Sequence, residues 1–266
     1  MRIALVSDSH LAATADAFNA NWQAIERYVG AAGIDLTIHL GDITLDGFSD
    51  PDQHEHARML ASNWPTPLRF LPGNHDIGDH RPAPHVPAEE PLDLALLRRY
   101  GALFGDDHWR LEAAGWLLLG LNAQLLGTET DAERAQWDWL AMELAAAPAR
   151  PLALLLHKPL FWEDPADGRP HIRYVPLAPR RRLLDLLAKS DLRLVISGHT
   201  HQALDRIIAG VRHVWLPSTA FVFPDDRQER IGDKITGLAL LELTGGDHRL
   251  DFFTPADVRA HVLGHP

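Results

Sequence analysis

Six apolar runs without polar alternation constrain the fold of this chain more than any other feature of its sequence. A strand with one solvated face alternates apolar and polar residues, whereas a continuous apolar run is typical of a strand covered on both faces. The runs are "RIALVS" (2–7), "DLTIHL" (35–40), "PLRFL" (67–71), "WLLLGLNA" (116–123), "PLALLL" (151–156) and "LRLVIS" (192–197). They predict buried strands in a sheet that carries helices on its faces.

Helical patterns separate several of these runs. Apolar residues that include Trp22 and Trp137 recur at helical spacing in 18–30 and 131–146, and a third helix is predicted after Pro179, a favourable first helical residue. These tryptophans, with Trp139 and Leu140, are interpreted as core residues. The alternation of strands and helices indicates an α/β fold.

The pattern changes after Gly210. Three further strands, separated by turns rich in Gly and Asp, are predicted to form an antiparallel addition to the same fold. They are "VRHVWLPS" (211–218), "ITGLALLEL" (235–243) and "HRLDFF" (248–253). Two Pro-rich stretches, 78–91 and 163–179, are interpreted as surface loops because they lie between core elements. Residues 1–266 are predicted to form a single domain.

Composition excludes several classes of function. The chain has no Cys, so metal ligands must come from His, Asp, Asn or Glu. Its formal net charge of -11 opposes binding to the phosphate backbone of a long nucleic acid. The first residues, "MRIALVSDSH", read as a strand rather than a signal peptide, and no run is long enough to cross a membrane. We therefore expect a cytoplasmic protein that acts on a small molecule, with no membrane partner; the oligomeric state stays open.

Polar side chains follow five of the apolar runs. Because ligands bind at the carboxyl ends of the strands in open α/β sheets, these side chains are expected to meet at one edge. They are Asp8, His10, Asp42, Asn74, His75, Asp76, His157, His199 and His201. Imidazoles and carboxylates are good ligands for Zn, Mn and Fe, and the two oxygens of a carboxylate such as Asp42 can bridge two cations. Two metals about 3.5–4 Å apart can clamp a phosphoryl group and generate a hydroxide nucleophile at neutral pH.

These motifs, in order, are D-x-H, G-D, G-N-H-D, H and G-H-x-H, and together they resemble the calcineurin-like metallophosphoesterase superfamily. The resemblance runs from residue 8 to 201. It implies a four-layer αββα sandwich of two mixed β-sheets flanked by helices, with two divalent or trivalent metal ions (Mn, Fe or Zn) between the sheets. One metal would be held by Asp8, His10, Asp42 and His201, and the other by Asp42, Asn74, His157 and His199.

The resemblance also implies roles for two residues that are not ligands. His75 would contact the phosphate and assist the leaving oxygen, with Asp76 as its orienter, although Asp76 is equally a candidate turn residue. The expected reaction is in-line attack by a metal-bridging hydroxide on a small phosphodiester such as a cyclic nucleotide. A phosphomonoesterase, nucleotidase or pyrophosphatase and a non-catalytic scaffold stay as alternatives.

Two positions depart from patterns of the superfamily. Leu45 stands where a purple acid phosphatase has Tyr, which argues against an iron site of that type. The overall spacing is similar to the cyclic nucleotide phosphodiesterase branch, but "HKPLF" places Lys158 where many of those enzymes have a second His. Lys158 could steer phosphate or be solvated, so the substrate subgroup stays open.

The remaining histidines and the second loop have other interpretations. His39, inside an apolar run, is predicted to be a core residue. His54 and His56 are predicted to lie on a solvated helix face, and five other histidines are predicted to be surface or structural residues. These five are His80, His85, His108, His213 and His248. Arg169, His171 and Arg173 are candidates for a lid over the substrate, although a solvated loop is favoured for each.

Overall fold

The computed structural model describes residues 1–146 and 150–264. Within them the chain forms eleven β-strands: β1 (Arg2–Val6), β2 (Leu36–His39), β3 (Leu68–Phe70), β4 (Trp109–Ala113), β5 (Trp116–Leu121), β6 (Pro151–Leu156), β7 (Asp191–Ser197), β8 (Leu204–Ile208), β9 (Val211–Trp215), β10 (Leu238–Thr244) and β11 (Asp247–Phe253). The same residues form six α-helices: α1 (Asp16–Ala31), α2 (Asp52–Leu60), α3 (Asn74–Ile77), α4 (Leu94–Phe104), α5 (Asp131–Ala146) and α6 (Leu177–Leu187). Each of the six apolar runs contains a strand.

The described strands form two mixed sheets. One has five strands in the order β11-β10-β1-β2-β3, and the other has six in the order β4-β5-β6-β7-β9-β8. Strands β1, β2 and β3 run parallel, as do β5, β6, β7 and β9, whereas β4, β8, β10 and β11 pair antiparallel with their neighbours. The carboxyl ends of the parallel strands therefore lie at one edge of each sheet.

Alternate residues of the central strands face two different cores, which explains why their sequences are apolar throughout. On β1, Ile3 and Leu5 pack between the two sheets, while Ala4 and Val6 pack beneath α1, α2 and α4. On β5, Leu118 lies between the sheets and its neighbours pack against α5 and α6. The layers are thus helix, sheet, sheet and helix, and the predicted four-layer αββα sandwich is confirmed.

Several predictions about individual elements were wrong or incomplete. Strands β4 and β8 and helix α4 were not predicted, and α6 begins two residues before Pro179. Strand β9, predicted as part of an antiparallel addition, runs parallel to β7. The two missed strands are outermost in their sheet, and β8 ("LDRII") is only half-buried, so its sequence lacks a continuous apolar run.

The structure also corrects one histidine. His54 was predicted on a solvated helix face but is fully buried, because α2 packs against α4 and the His54 ring meets Phe104 edge-on at 6.2 Å. His39 is a core residue as predicted: its Nε2 lies 2.8 Å from Ser9 Oγ and its Nδ1 accepts the Gly41 N–H at 3.1 Å. Trp22, Trp137 and Leu140 are buried, and Trp139 packs at the edge of the same core as Trp137.

The two Pro-rich loops lie at the surface over most of their length. The first, 78–91, is closed at its base because Asp79 N–H donates to Glu90 O at 2.7 Å and Leu92 N–H donates to Asp79 O at 2.9 Å. The second leads into α6. None of the helices in the described ranges is both long and apolar enough to span a bilayer. The cytoplasmic location stays a prediction.

Candidate metal centre

Loops from both sheets converge at the carboxyl edge of the parallel strands. Those after β1, β2 and β3 come from the five-stranded sheet, and those after β6 and β7 come from the six-stranded sheet. Backbone hydrogen bonds join these loops: Asp8 N–H donates to Gly41 O at 2.9 Å, and Gly198 N–H donates to His157 O at 2.9 Å. Between the sheets, His199 N–H donates to Asp8 Oδ2 at 3.0 Å and His157 Nε2 lies 3.2 Å from Asp42 Oδ2, so the predicted ligands of both sheets lie in one region.

One group of candidate ligands consists of Asp8, His10 and His201, all buried. Their ligand atoms lie within 4.8 Å of one another. The two Nε2 atoms of His10 and His201 face each other at 3.1 Å, and His201 Nε2 lies 3.3 Å from Asp8 Oδ1. Because this group gathers one carboxylate oxygen and two imidazole nitrogens, its chemistry suits a transition-metal cation.

The other group consists of Asp42, His157 and His199, again with ligand atoms within 4.8 Å. His157 Nε2 lies 3.2 Å from Asp42 Oδ2 and 3.3 Å from Asn74 Oδ1, so the amide of Asn74 adjoins this group. The rings of His157 and His199 meet edge-on, with centroids 5.0 Å apart. The position of Asp42 as a bridge between the two groups stays a prediction.

Hydrogen bonds at the far side of two rings fit them for metal binding. His157 Nδ1 lies 2.7 Å from Leu40 O, and His201 Nδ1 lies 2.9 Å from Phe221 O. A carbonyl can only accept, so each Nδ1 carries a proton, and in the neutral ring each Nε2 has its lone pair available for a cation. Neither Leu40 nor Phe221 was identifiable from the sequence, because both act through the backbone.

Backbone conformation sets these residues apart from the rest of the chain. Eight non-glycine residues in the described ranges have positive φ, and five of them are candidate ligands: Asp8 (56°), His10 (47°), Asp42 (53°), His199 (68°) and His201 (53°). Such conformations cost of order 1–3 kcal/mol each and cluster at functional sites. Two glycines make the close approach of the loops possible. A Cβ on Gly198 would lie 1.9 Å from Ser7 Oγ, and one on Gly73 would lie 2.1 Å from Asp42 Oδ1.

Protonation in this region is dominated by the close pairing of acids and imidazoles. Burial by itself would raise the pKa of Asp42, but the neighbouring histidines, His157 foremost, together hold that pKa well below its usual range. Burial likewise opposes a charge on His157, yet the charge of Asp42 and the hydrogen bond to it raise the pKa of His157 to about 9. Metal ligation requires the neutral ring, so cation binding at His157 would release a proton.

His75 and Asp76 differ in position and surroundings. His75 is half-buried; its N–H donates to Asp42 Oδ1 at 2.9 Å and its ring meets the His10 ring edge-on at 5.0 Å. Its buried Nδ1 has no hydrogen-bond partner within residues 1–146 and 150–264.

Asp76 is fully buried and does not orient the His75 ring, so that prediction was wrong. Its carboxylate instead accepts the N–H groups of Gly73 (2.8 Å), Ile43 (3.2 Å) and Thr44 (2.9 Å). Asp76 therefore joins the loop that carries Asp42 to the loop that carries Asn74, which is the role of a turn residue.

Lys158 is not solvated. Its side chain is fully buried, and Nζ contacts Asp79 Oδ2, while Gln124 Nε2 donates to Asp79 Oδ1 at 3.1 Å. We call Lys158 and Asp79 together the Lys158–Asp79 pair. It links the end of β6 to the base of the 78–91 loop, a partnership that the sequence did not indicate because the residues are 79 positions apart.

The candidate lid residues lie on the second loop. Arg169 is exposed and its Nε lies 3.0 Å from Asp167 Oδ1, consistent with the solvated alternative. His171 is exposed and its Nδ1 accepts the Arg173 N–H at 3.0 Å. A lid function for these residues stays a prediction.

The sequence profile of the calcineurin-like phosphoesterase family matches residues 1–203. The chain belongs to this family. It is a metal-dependent phosphoesterase, and the two groups of candidate ligands are consistent with the dinuclear metal centre of the family.

Relatives of the phosphoesterase include enzymes with different named activities. A 3′,5′-cyclic adenosine monophosphate phosphodiesterase of Escherichia coli K12 is 30% identical over 236 residues, which cover 84% of this chain and 78% of that protein. A serine/threonine-protein phosphatase of Mus musculus is 28% identical over 190 residues, covering 64% and 56% of the two chains. The crystal structure of a dimetal phosphatase from Danio rerio superimposes with a TM-score of 0.65 at 14% identity, covering 95% of each chain, and shows the shared fold.

Proposed function

We propose that this phosphoesterase is a phosphodiesterase that uses two metal ions and acts on small phosphodiesters such as cyclic nucleotides. The observation that carries the proposal is the pair of ligand groups, in each of which the ligand atoms lie within 4.8 Å of one another. In both groups a histidine, His157 or His201, is held at Nδ1 by a backbone carbonyl and presents Nε2 to the other ligands. The 30% identity to a cyclic adenosine monophosphate phosphodiesterase supports the substrate class.

The proposed ligand sets are those expected from the motifs. Asp8, His10, Asp42 and His201 would hold one ion, and Asp42, Asn74, His157 and His199 would hold the other. When bound, Mn, Fe or Zn ions at this site would supply positive charge for the phosphoryl oxygens and activate water at neutral pH. Because the ligands come from both sheets, we also propose that residues 1–266 form one domain.

His75 is proposed as the catalytic residue that contacts the substrate. Its position is fixed by the hydrogen bond from its backbone N–H to the Asp42 carboxylate. Its ring is partly open to solvent beside His10. A protonated His75 ring would donate a hydrogen bond to a phosphoryl oxygen and pass its proton to the departing alkoxide oxygen. Asp76 would contribute indirectly, by holding the two loops together.

Substitution of His75 tests this role. We expect His75→Ala to lower kcat for bis-p-nitrophenyl phosphate by about 10²–10⁴-fold, the usual contribution of general acid–base catalysis, with normal metal content. Hydrolysis by the Mn-loaded protein and metal content by mass spectrometry are the measurements. The matched control is His85→Ala, an exposed histidine, which should match the wild type. Unchanged kcat in the metal-loaded His75 variant would contradict the role.

The second candidate function is hydrolysis of monoesters or anhydrides, as in a phosphomonoesterase, nucleotidase or pyrophosphatase. A serine/threonine-protein phosphatase among the relatives favours keeping it. Comparison of bis-p-nitrophenyl phosphate with p-nitrophenyl phosphate separates the two: preference for the diester supports the first proposal, and preference for the monoester supports the second. Release from neither ester would favour a non-catalytic scaffold, although His75 and all seven proposed ligands are in place.

A further inference from the structure

A cavity of about 850 Å³ lies beside the metal centre, and none of the proposed ligands lines it. Three loops form its wall: the 78–91 loop after β3, the 127–130 turn after β5 and the segment 168–181 that leads into α6. Its volume falls in the range of about 300–1,000 Å³ that is typical of small-molecule sites. The Lys158–Asp79 pair adjoins both regions, because Asp79 lines the cavity and Lys158 follows His157.

Much of the wall is apolar and conformationally restricted. Six prolines line the cavity: Pro82, Pro84, Pro91, Pro170, Pro176 and Pro179. Because each proline ring fixes its own φ, a ligand that enters would order little additional backbone. The wall is therefore suited to the flat or apolar part of a ligand.

The charged groups of the cavity favour an anion. Arg81 and Arg181 both line it and are exposed, and neither guanidinium forms an ion pair within the parts of the chain that the structure describes. Of the two acidic residues in the wall, Asp79 is neutralised by Lys158, which leaves the exposed Glu129 as the opposing charge. The two unpaired arginine side chains make the charge of the cavity wall positive, although the formal net charge of the chain is -11.

The first turn of α6 adds to this positive potential. Pro176, Leu177 and Ala178 line the cavity, and Pro176 provides no side-chain cap for the helix. Only Leu177 and Ala178 offer free N–H groups at this helix start, because Pro176 and Pro179 have none. These two donors and the effective charge of about +0.5 at the start of a helix favour an anionic oxygen. The cavity thus has three positive elements: two guanidinium groups and the start of an eleven-residue helix.

A buried histidine supplies a neutral polar group in the same wall. His80 is almost fully buried, its Nδ1 lies 3.3 Å from Arg81 O, and its Nε2 has no hydrogen-bond partner among the described residues. Burial, with the nearby Lys158 ammonium, lowers the pKa of His80 to about 4, so the ring is neutral. The side chain has no exposed surface and its Nε2 lies 3.8 Å from Asp79 Oδ1, so the ring packs behind the cavity wall and supports it.

We infer that this cavity is a second ligand site, distinct from the metal centre, for an organic phosphate with an apolar body. Arg81, Arg181 and the start of α6 bind the phosphate, and the proline wall contacts the apolar body. The inference goes beyond the proposed function, since it requires neither metal ions nor hydrolysis.

Calorimetric titration of the metal-free protein with adenosine 5′-monophosphate tests the inference, because a chelator removes the cations that would hold a phosphate at the metal centre and the variants then locate the remaining site. We expect one site per chain with a dissociation constant below about 1 mM. The double variant Arg81→Gln/Arg181→Gln should bind at least about tenfold more weakly, because the phosphate loses its hydrogen bonds to two charged groups.

The matched control is Arg58→Gln/Arg98→Gln, which removes the same charge from two exposed arginines elsewhere and should bind as the wild type does. Absence of binding to the metal-free wild type, or equal binding by the cavity variant, would overturn the inference. Hydrolysis of bis-p-nitrophenyl phosphate by the metal-loaded cavity variant should equal that of the wild type. A loss of kcat in this variant would instead make the cavity part of the catalytic site and overturn its separate status, whichever ester the enzyme prefers.

Discussion

The proposed metal ligands and the Lys158–Asp79 pair are neighbouring sets of buried polar groups. They differ in how many of their polar atoms have a partner of opposite charge or a hydrogen bond. In the pair, an ammonium faces a carboxylate that also accepts from Gln124. Among the ligands, His10 Nε2 faces His201 Nε2 at 3.1 Å, and the buried Nδ1 atoms of His10 and His199 have no partner in the described ranges. The charges of the pair are compensated by each other, whereas the ligand set combines compensated groups, such as Asp42 with His157, with ring nitrogens that have no partner.

This difference separates a contribution to stability from a contribution to function. Buried polar groups in folded proteins are almost always paired, so a concentration of unpaired ones needs an explanation, such as an ion. The positive φ values of five candidate ligands point the same way, because backbone strain at a site must be offset by stability elsewhere. We therefore expect substitutions in the two sets to change different measured quantities.

The largest effect is expected for Asp42→Ala. If Asp42 is shared by both ions, each loses a ligand, so metal content after dialysis should fall for both. Hydrolysis of bis-p-nitrophenyl phosphate should fall by about 10³-fold or more, because loss of a single electrostatic stabiliser already costs about 10²–10³-fold. Mass spectrometry of bound metal and the ester assay are the measurements. The control Asp257→Ala removes an exposed carboxylate and should retain both ions.

Retention of two ions by a folded Asp42→Ala protein would show that Asp42 is not shared. It would also weaken the contrast between the two sets of residues, because the remaining ligands would then form complete sites without a bridge. Circular dichroism confirms that the variant is folded before its metal content is interpreted.

A smaller effect, on stability, is expected for Lys158→Met. The substitution leaves the Asp79 carboxylate, whose side chain is 18% exposed, without its cation. Breaking a buried ion pair costs about 3–5 kcal/mol, whereas replacing both partners by apolar residues is often close to neutral. Urea unfolding should therefore show a large loss of stability for Lys158→Met and recovery of most of it in Lys158→Met/Asp79→Leu.

The double variant is its own control, because it shares the Lys158 substitution and lacks the unpaired charge. If it is as unstable as Lys158→Met, the shape of the lysine side chain matters rather than its pairing. Both variants should retain two metal ions, in contrast to Asp42→Ala.

Features of the sequence that are local to one segment predicted most of this molecule. A strand buried on both faces needs a continuous apolar run, so "PLALLL" and "LRLVIS" were identifiable as β6 and β7. The polar residues that follow such runs must emerge at the same edge of a parallel sheet, and the candidate ligands could be named on that basis. Neither inference depends on knowing which distant segments meet.

Features set by contacts between distant segments were not predictable in the same way. The burial of His54 depends on α4 packing over α2, and the partner of Lys158 lies on a loop 79 residues away. Edge strands such as β8 also escaped, because a half-exposed strand has the mixed composition of a loop. The left-handed backbone of the ligands carries no sequence signal beyond the tolerance of Asp and His for that conformation.

The smallest predicted effect concerns a buried histidine that does have partners. His39 Nδ1 accepts the Gly41 N–H, so Nε2 carries the proton and donates to Ser9 Oγ, and the neutral ring is fully paired. Burial lowers the pKa of His39 to about 3, against about 6.5 in an unfolded chain. The unfolded chain therefore binds this proton first, so the stabilisation is fully present above about pH 6.5 and is lost as the pH falls toward 3.

The contribution of His39 has a slope of at most about 1.4 kcal/mol per pH unit, and His39→Gln should remove it. Urea unfolding of the metal-free proteins between pH 7.5 and 5.5 should then show a shallower decline for His39→Gln than for the wild type, while the exposed control His85→Gln follows the wild type. An equally steep decline in His39→Gln would assign the acid sensitivity to other buried histidines. That result would show that the hydrogen bonds of the neutral His39 ring do not stabilise the fold, so His39 could no longer be contrasted with the ligand histidines whose ring nitrogens have no partner.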